Sequence, residues 1–293
     1  MKSALANKGF VVLIRTSLLS ALTAVGLWTM APPVMGQALL PYVLPLDSER
    51  LEEQGLVLAQ EAAQFAQLQQ YDIALAQAQL AAQLVPDNAA VWGLLGTLYL
   101  QIEEFDDSIA ALNRAQALEA DNSAVLFALG TAHFRNGEYQ KASDFLESGL
   151  TLEPDNPGAL FDLGNTYFKL DQFEPAIAQY QKSVDIDPEF WPSVNNIGLV
   201  QYEQGAVDDA IARWEESLAI APMEPEPELA IAVAQFAKGN EAAALEIGIP
   251  ALEKDSRYAE IEFLIENLWG PRLIADTQAF FQHPDVQALL PQL

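Results

Sequence analysis

The sequence predicts an all-α protein built as a solenoid of helical hairpins, and a spacing of 34 residues is the main reason. Gly96, Gly130, Gly164 and Gly198 each lie 34 residues after the previous one. Prolines and aromatic residues recur at the same interval, namely Pro86, Pro154, Pro188 and Pro222, with Tyr71, Phe105, Tyr139 and Phe173. One interval shared by several classes of residue indicates stacked copies of one structural unit.

The composition argues against several classes of function. All 41 acidic residues lie at or after Asp47, where only 11 basic residues occur, so this part of the chain has a formal charge of 11 − 41 = −30. Such a surface repels phosphate backbones, which makes a nucleic-acid ligand unexpected. The absence of cysteine excludes disulfides, thiolate metal sites and a lipid-modified cysteine. The two histidines are far apart in sequence, and we expect no metal or other cofactor.

Residues 1–46 differ from the rest of the chain and predict an export signal or a membrane anchor. Three basic residues, the last of them Arg15, precede an uncharged run that continues to residue 46. Small residues around Gly36 and Ala38 favour a cleaved signal, with cleavage after either one. An uncleaved single span remains open, because the apolar run approaches the roughly 20 residues that cross a bilayer. In both cases we expect the bulk of the protein to face away from the cytoplasm, membrane-associated or exported to a periplasm.

The stretch from Trp92 to Tyr99 identifies a family. Trp92, Leu95, Gly96 and Tyr99 reproduce the W-x-x-L-G-x-x-Y signature of the tetratricopeptide repeat (TPR) family, which the sequence resembles between residues 55 and 258. The resemblance implies a right-handed superhelix in which each repeat forms a helix A, a turn and a helix B. The expected repeats are 55–88, 89–122, 123–156, 157–190, 191–224 and a degenerate 225–258. The solenoid then occupies 47–258, and capping helices occupy 259–293.

Recurring residues predict where the helices of each repeat pack and end. The glycine at the eighth position lets helix A approach helix B, whose matching small surface is Ala74, Ala142, Ala176 and Ala210. The recurring prolines end helix B, because proline lacks the N–H that a further turn needs. Asp-Asn pairs at 87–88, 121–122 and 155–156 supply side-chain oxygens that cap the next helix A. Gly137, Gly205 and Gly239 fit a left-handed turn between the two helices.

The two ends of the array depart from this pattern. In the first repeat Glu61-Ala62 replaces Leu-Gly, which predicts a polar end with a long helix beginning near Asp47. The sixth repeat lacks both the glycine and the aromatic residue, as expected for a cap. Apolar residues at helical spacing from Ile261 to Leu268 predict a closing helix. The stretch Asn267–Thr277 fits no repeat, so we expect it either to cover the last repeat or to form a second docking surface.

The resemblance also implies where a partner binds. In the TPR family, positions 2, 5, 6, 9, 12 and 13 of helix A line the concave groove. The candidate partner-binding residues are Thr97, Phe127, Thr131, Phe134, Arg135, Phe161, Asp162, Asn165, Phe168, Lys169, Asn195, Asn196 and Tyr202. Rings and amides suit an extended peptide or a partner helix. An alternative is that the rings only pack between hairpins and that the two cations pair with neighbouring acidic residues.

The chaperone-tail clamp found in some TPR proteins is not expected here. That clamp needs Lys and Asn in one repeat, Asn in the next, and Lys and Arg in the third. The matching positions hold Ala59 and Ala63, Leu94, then Ala124 and Ala128, and moving the register by one repeat does not restore the clamp.

The sequence predicts a non-catalytic scaffold or assembly factor. His133 takes the place of a tyrosine in flanking repeats, so we expect it to be packed rather than catalytic. No phosphate loop or nucleophile–base pair is recognisable. Two other functions remain open, a regulatory subunit of an enzyme complex and an RNA-binding helical repeat protein, although the second lacks the cations that it needs.

A narrower resemblance rests on the N-terminal segment and on Asn267–Thr277. In these two features the sequence resembles the thylakoid-associated TPR proteins of cyanobacteria and chloroplasts. That resemblance implies a thylakoid location, including export to the lumen, and a role in photosynthetic complex assembly or chlorophyll synthesis.

Overall fold

The computed structural model describes residues 47–293. The predicted export signal or membrane anchor at residues 1–46 lies outside this range. Among the described residues, no helix is both long enough and apolar enough to cross a bilayer.

The described chain is entirely helical, and its first twelve helices form six antiparallel hairpins. The hairpins are α1 (Ser48–Gln67) with α2 (Tyr71–Leu84), α3 (Ala89–Gln101) with α4 (Phe105–Leu118), α5 (Ser123–Arg135) with α6 (Tyr139–Leu152), α7 (Pro157–Lys169) with α8 (Phe173–Ile186), α9 (Trp191–Glu203) with α10 (Val207–Ile220), and α11 (Pro225–Ala237) with α12 (Glu241–Lys254). A 3₁₀ turn at Ser256–Ala259 leads to α13 (Ile261–Glu266), α14 (Pro271–Phe281), α15 (Pro284–Leu289) and a last 3₁₀ turn at Leu290–Gln292. The predicted solenoid is confirmed, and each helix A begins at or near its expected residue.

Side-chain caps begin several A helices as the sequence predicts. The side chains of Asn88, Asn122 and Asn156 each accept a hydrogen bond from the main-chain N–H three residues later, at 2.9–3.2 Å. Asp47 does the same for Arg50 and begins α1, which is 20 residues long. Because each cap satisfies an N–H that the helix leaves without a partner, it defines where the helix begins.

The turns between helices A and B share one backbone conformation. Gly137, Gly205 and Gly239 have φ angles of +75°, +86° and +82°, as expected for a left-handed C-cap. In the other three repeats Gln69, Glu103 and Asp171 occupy the same position with φ between +57° and +64°. The turn is therefore retained where the glycine is absent, and these side chains carry the strain that glycine avoids.

Packing between helices A and B differs in one respect from the expectation. A Cβ added at Gly96, Gly130, Gly164 or Gly198 would lie 2.5–2.6 Å from a large side chain of helix B, not from an alanine. These side chains are Leu112, Leu146, Tyr180 and Trp214, each 16 residues after its glycine. All four are fully buried, and so are the alanines that the sequence predicts opposite the glycines. Each glycine therefore makes room for one large residue.

The terminal repeats use smaller pairs at the same contact. In the first repeat Ala62 and Ala78 stand in the positions of the glycine and the large residue, and both are fully buried. In the sixth repeat Ala232 of helix A stands at the usual glycine position, and the glycine of the contact is Gly248 of helix B. A Cβ added at Gly248 would lie 2.9 Å from Ala232 and 2.6 Å from Phe280. The small residue and the glycine have therefore exchanged helices in this repeat, and the space beside Gly248 is filled by Phe280 of α14.

The two ends of the solenoid are finished differently. The sequence predicts a polar first hairpin, yet Leu56, Val57, Leu68, Ile73 and Leu80 are each 44–66% exposed. At the other end, helices α13–α15 join the core of the last two repeats and bury Leu264, Trp269, Leu273, Phe280 and Val286. These C-terminal residues thus share one apolar core with the fifth and sixth repeats.

The glycine contact makes a steric prediction. Gly164→Leu places a branched side chain where the Tyr180 ring lies, and we expect the free energy of unfolding to fall by about 1–3 kcal/mol. Thermal and urea denaturation followed by circular dichroism measure the change.

Gly158→Leu on the same helix is the matched control, since an added Cβ there has only a 3.5 Å contact with a side-chain oxygen. Equal melting temperatures for the two variants would show that the fit against Tyr180 does not limit stability.

Candidate functional site: a groove on the inner face

The A helices of repeats 3 to 6, the turn between the helices of repeat 2 and the C-terminal segment line an open cavity of about 900 Å³, which we call the amide compartment. Its lining residues are Glu103, Phe105, Phe134, Arg135, Tyr139, Phe161, Asn165, Lys169, Trp191, Pro192, Asn195, Asn196, Glu226, Phe263, Ile265, Glu266, Asn267 and Leu268. Seven of the thirteen predicted partner-binding residues are among them. The folded chain therefore brings these seven residues together around one cavity.

Aromatic rings form one wall of the amide compartment. The Phe134 ring lies 5.4 Å from that of Tyr139, and the Phe161 ring lies 5.8 Å from Tyr180 and 5.5 Å from Phe190. Phe134 and Phe161 remain partly exposed. They are thus supported from behind by other rings and still present an apolar surface to the cavity.

The two predicted cations have different surroundings. Arg135 donates to Glu103 at 2.7 Å, and its guanidinium lies 5.5 Å from the centre of the Phe105 ring. Lys169 has its Nζ atom 5.8 Å from the centre of the Tyr139 ring and makes no ion pair with any described residue. The alternative of local charge pairing thus holds for Arg135 and not for Lys169.

A buried network of amides forms the floor of the amide compartment. Asn165 accepts from the Tyr180 hydroxyl at 2.7 Å and from Asn196 at 3.0 Å. Asn195 donates to Asn196 and to Glu226, both at 3.2 Å. The indole N–H of Trp269 donates to the same Glu226 oxygen at 3.1 Å. The Asn195 Oδ1 atom is buried and has no hydrogen-bond partner among the described residues.

Two carboxyl groups near this floor have raised pKa values. Burial raises the pKa of Glu226 to about 7, although the hydrogen bonds from Trp269 and Asn195 act in the opposite direction. Burial likewise raises the pKa of Asp162 to about 6, opposed by a hydrogen bond from the Thr131 hydroxyl at 3.2 Å. The floor of the groove is therefore less negatively charged than its count of acidic residues indicates.

The C-terminal segment covers the part of the inner face formed by α9 and α11. Glu203 accepts hydrogen bonds from the main-chain N–H groups of Arg272 and Leu273, both at 3.0 Å, and so holds the first turn of α14. Tyr202 donates to Asp276 at 2.7 Å and is fully buried, with the Arg272 guanidinium 5.1 Å from its ring centre. In this structure Tyr202, predicted to contact a partner, contacts the protein's own C-terminal segment instead.

The remaining predicted groove residues do not line the amide compartment. Thr97 is exposed on α3, and Thr131 and Asp162 bond to each other. Phe127 packs over Gly149, where an added Cβ would lie 2.4 Å from the ring, so this ring follows the packing alternative. Phe168 is 7% exposed and packs against Phe173.

A second cavity, of about 540 Å³, adjoins the first, and we call it the apolar compartment. Its lining residues are Tyr139, Phe168, Lys169, Asp171, Phe173, Glu203, Ile265, Leu268, Trp269, Gly270, Pro271 and Ile274. Sequence reasoning missed the contributions of Glu226, Trp269 and Leu268 to the site. Glu226 stands at position 2 of the sixth helix A, which is a groove position in the family. The only signal for Leu268 and Trp269 was the stretch Asn267–Thr277 that fits no repeat, and its path over the groove depends on tertiary packing.

No cluster suited to a metal ion occurs among residues 47–293. His133 is buried, stacks on Phe145 at 5.2 Å and lies 2.6 Å from a Glu138 oxygen through its Nδ1 atom. It is packed in the place of the flanking tyrosines, as expected.

Comparison with known proteins identifies the family. Residues 47–190 match the family model described as the TPR domain of cytochrome c-type biogenesis protein H, and residues 161–225 match a second tetratricopeptide repeat model. The chain is a tetratricopeptide repeat protein. No match to a curated protein was found for this TPR protein.

Solved structures agree with this fold. A crystal structure of MamA is 25% identical, with a TM-score of 0.52, over 55% of this chain and 94% of MamA. MamA from Desulfovibrio magneticus RS-1 gives 16% identity and a TM-score of 0.55 over 58% of this chain and 96% of that one. PilF of Pseudomonas aeruginosa gives 14% identity and a TM-score of 0.61 over 75% of this TPR protein and 99% of PilF.

The buried carboxyl group predicts a pH dependence of stability. Because the pKa of Glu226 rises from its ordinary 4.5 to about 7 on folding, the folded protein holds this proton more tightly than the unfolded chain. The resulting stabilisation is complete below about pH 4.5 and is lost as the pH rises through 7. The variant Glu226→Gln has no carboxyl group at this position to ionise. Its free energy of unfolding should therefore rise relative to that of wild type by about 1–3 kcal/mol as the pH is raised from 5 to 8.

Urea denaturation at the two pH values measures this difference. Glu241→Gln, at an exposed position in the first turn of α12, is the control and should follow wild type at both. Parallel pH profiles for wild type and Glu226→Gln would show that Glu226 does not titrate as the structure implies.

Proposed function

We propose that this protein is a non-catalytic scaffold that holds a segment of a partner protein in the amide compartment, at or across a membrane. The observation that carries the proposal is the cavity of about 900 Å³, lined by supported rings and side-chain amides on the inner face of a TPR solenoid. A cavity of this size that combines apolar rings with polar groups at defined positions is typical of a binding site.

The chemistry of the lining favours a peptide over a nucleic acid. Phe134 and Phe161 offer desolvated contacts for apolar side chains. The Asn165 Nδ2 group lines this cavity and makes no hydrogen bond with a described residue, so it can donate to a main-chain carbonyl of a peptide. With Arg135 already paired to Glu103, the cavity has too few free cations to neutralise a phosphate backbone.

The family model supports an assembly role in particular. The matched TPR domain is named for c-type cytochrome biogenesis, and by analogy this TPR protein assists the assembly of a membrane-bound complex. The narrower form of the proposal, a thylakoid-associated helper in photosynthetic complex assembly or chlorophyll synthesis, is supported only by the N-terminal segment and Asn267–Thr277.

Removing two rings of the amide compartment tests the scaffold. Crosslinking in native membranes with mass spectrometry should first identify the partner of the wild-type protein. Phe134→Ala with Phe161→Ala should then weaken binding of that purified partner about tenfold or more, because both rings line the cavity. Isothermal titration calorimetry measures the affinity.

Leu80→Ala is the control, since Leu80 is 45% exposed on α2, far from the cavity. Circular dichroism should show that all variants remain helical. Unchanged affinity in the double variant would place the site elsewhere, and recovery of nucleic acid with no protein partner would exclude the scaffold.

The proposed membrane location is tested at the N terminus. We expect the mature protein either to begin near residue 37 or 39, after signal cleavage, or to retain Met1 and remain in the membrane fraction. N-terminal sequencing and alkaline extraction of membranes distinguish the two. A protein that retains Met1 and is released by salt would contradict both.

A further inference from the structure

The amide and apolar compartments are adjacent parts of one groove. Tyr139, Lys169, Ile265 and Leu268 line both cavities. Lys169 therefore stands at the junction, with its ammonium group near the Tyr139 ring. A ligand that occupies both compartments must pass this side chain.

Lys169 lacks a counter-charge although acidic residues surround the groove. Glu103 is paired with Arg135, and Glu203 accepts two N–H groups from α14. Glu226 is buried and bonded to Trp269 and Asn195, while Asp171 and Glu266 are exposed and lie beyond 4 Å of the Lys169 ammonium. A carboxylate brought by a ligand would form a charge-assisted hydrogen bond that the protein itself does not supply.

The apolar compartment suits a single large apolar side chain. Phe168, Phe173, Leu268, Trp269 and Ile274 lie around it, and its volume of about 540 Å³ exceeds that of any one side chain. Burial of a leucine or phenylalanine there would remove apolar surface from water and so favour binding. This compartment is formed where the C-terminal segment meets residues of α6, α7, α8 and α9.

We propose that the groove recognises an extended peptide segment in which a large apolar residue stands next to an Asp or Glu. The apolar side chain enters the apolar compartment, and the carboxylate binds the Nζ atom of Lys169. This inference rests on the proposed scaffold function and adds the chemistry of the partner segment to it.

The acidic exterior of the protein is compatible with this requirement. A formal charge of −30 after residue 46 attracts partners that are basic elsewhere and repels strongly acidic ones. The carboxylate is therefore needed at one position only, beside the apolar residue. A segment with one acidic residue can bind Lys169 and is repelled less by the negative charge of the protein than an acidic tail is.

Selection from a displayed library of random 12-residue peptides tests the inference on the purified full-length protein. Wild type should enrich Asp or Glu next to Leu, Ile, Phe or Tyr. Lys169→Glu should lose this enrichment, and Lys182→Glu should keep it, because Lys182 is an exposed lysine of the same repeat that lines neither compartment. Lys169→Gln provides a second variant if the charge reversal prevents folding.

Binding of a fluorescently labelled peptide from the wild-type selection then measures how much the carboxylate contributes to the affinity. Changing its acidic residue to Asn or Gln should weaken binding to wild type about tenfold and leave binding to Lys169→Gln nearly unchanged. Selected peptides that compete with the native partner but show no acidic preference, or that bind Lys169→Glu equally well, would overturn the inference and leave the scaffold standing. Failure to select any peptide would overturn both.

Discussion

The architecture depends on one steric fit that recurs between the two helices of each hairpin. A glycine on helix A leaves room for a large residue of helix B, from Leu112 to Trp214, and the terminal repeats keep the fit with smaller pairs. Because protein interiors are close-packed, a change on one side requires a change on the other. The regular spacing of the A helices follows from this fit, and so does a continuous inner face on which a groove can form.

The C-terminal segment turns part of that inner face into an enclosed site. It is held by hydrogen bonds to two carboxyl groups, since Glu203 caps α14 and Glu226 accepts from Trp269. The adjoining core buries Phe280 and Leu273 completely. The segment is therefore a structural part of the groove, and its Ile265 and Leu268 line both compartments.

The positions that vary between repeats determine which charged and aromatic side chains line the groove. Position 13 of helix A holds Arg135 in one repeat and Lys169 in the next, yet the first is paired with Glu103 and the second has no partner among the described residues. Position 5 holds Phe127, which packs over Gly149, and Phe161, which faces the cavity. Equivalent positions thus have different roles, because the neighbouring side chains differ.

The sequence by itself determined the fold and the register. The 34-residue spacing, the Asn caps and the turn glycines are local signals, and each specifies the backbone within a few residues of itself. Once the register is known, the resemblance to the TPR family implies that Phe134, Phe161, Asn165 and Lys169 lie in the groove.

Only the tertiary structure decided which groove positions are open. Three features depend on residues more than 30 positions away in sequence. They are the covering of Tyr202 by α14, the contact of Gly248 with Phe280, and the hydrogen bond that Glu226 accepts from Asn195. A segment that belongs to no repeat has no register, so its path follows from packing against α9 and α11. That path can be read only from the folded chain.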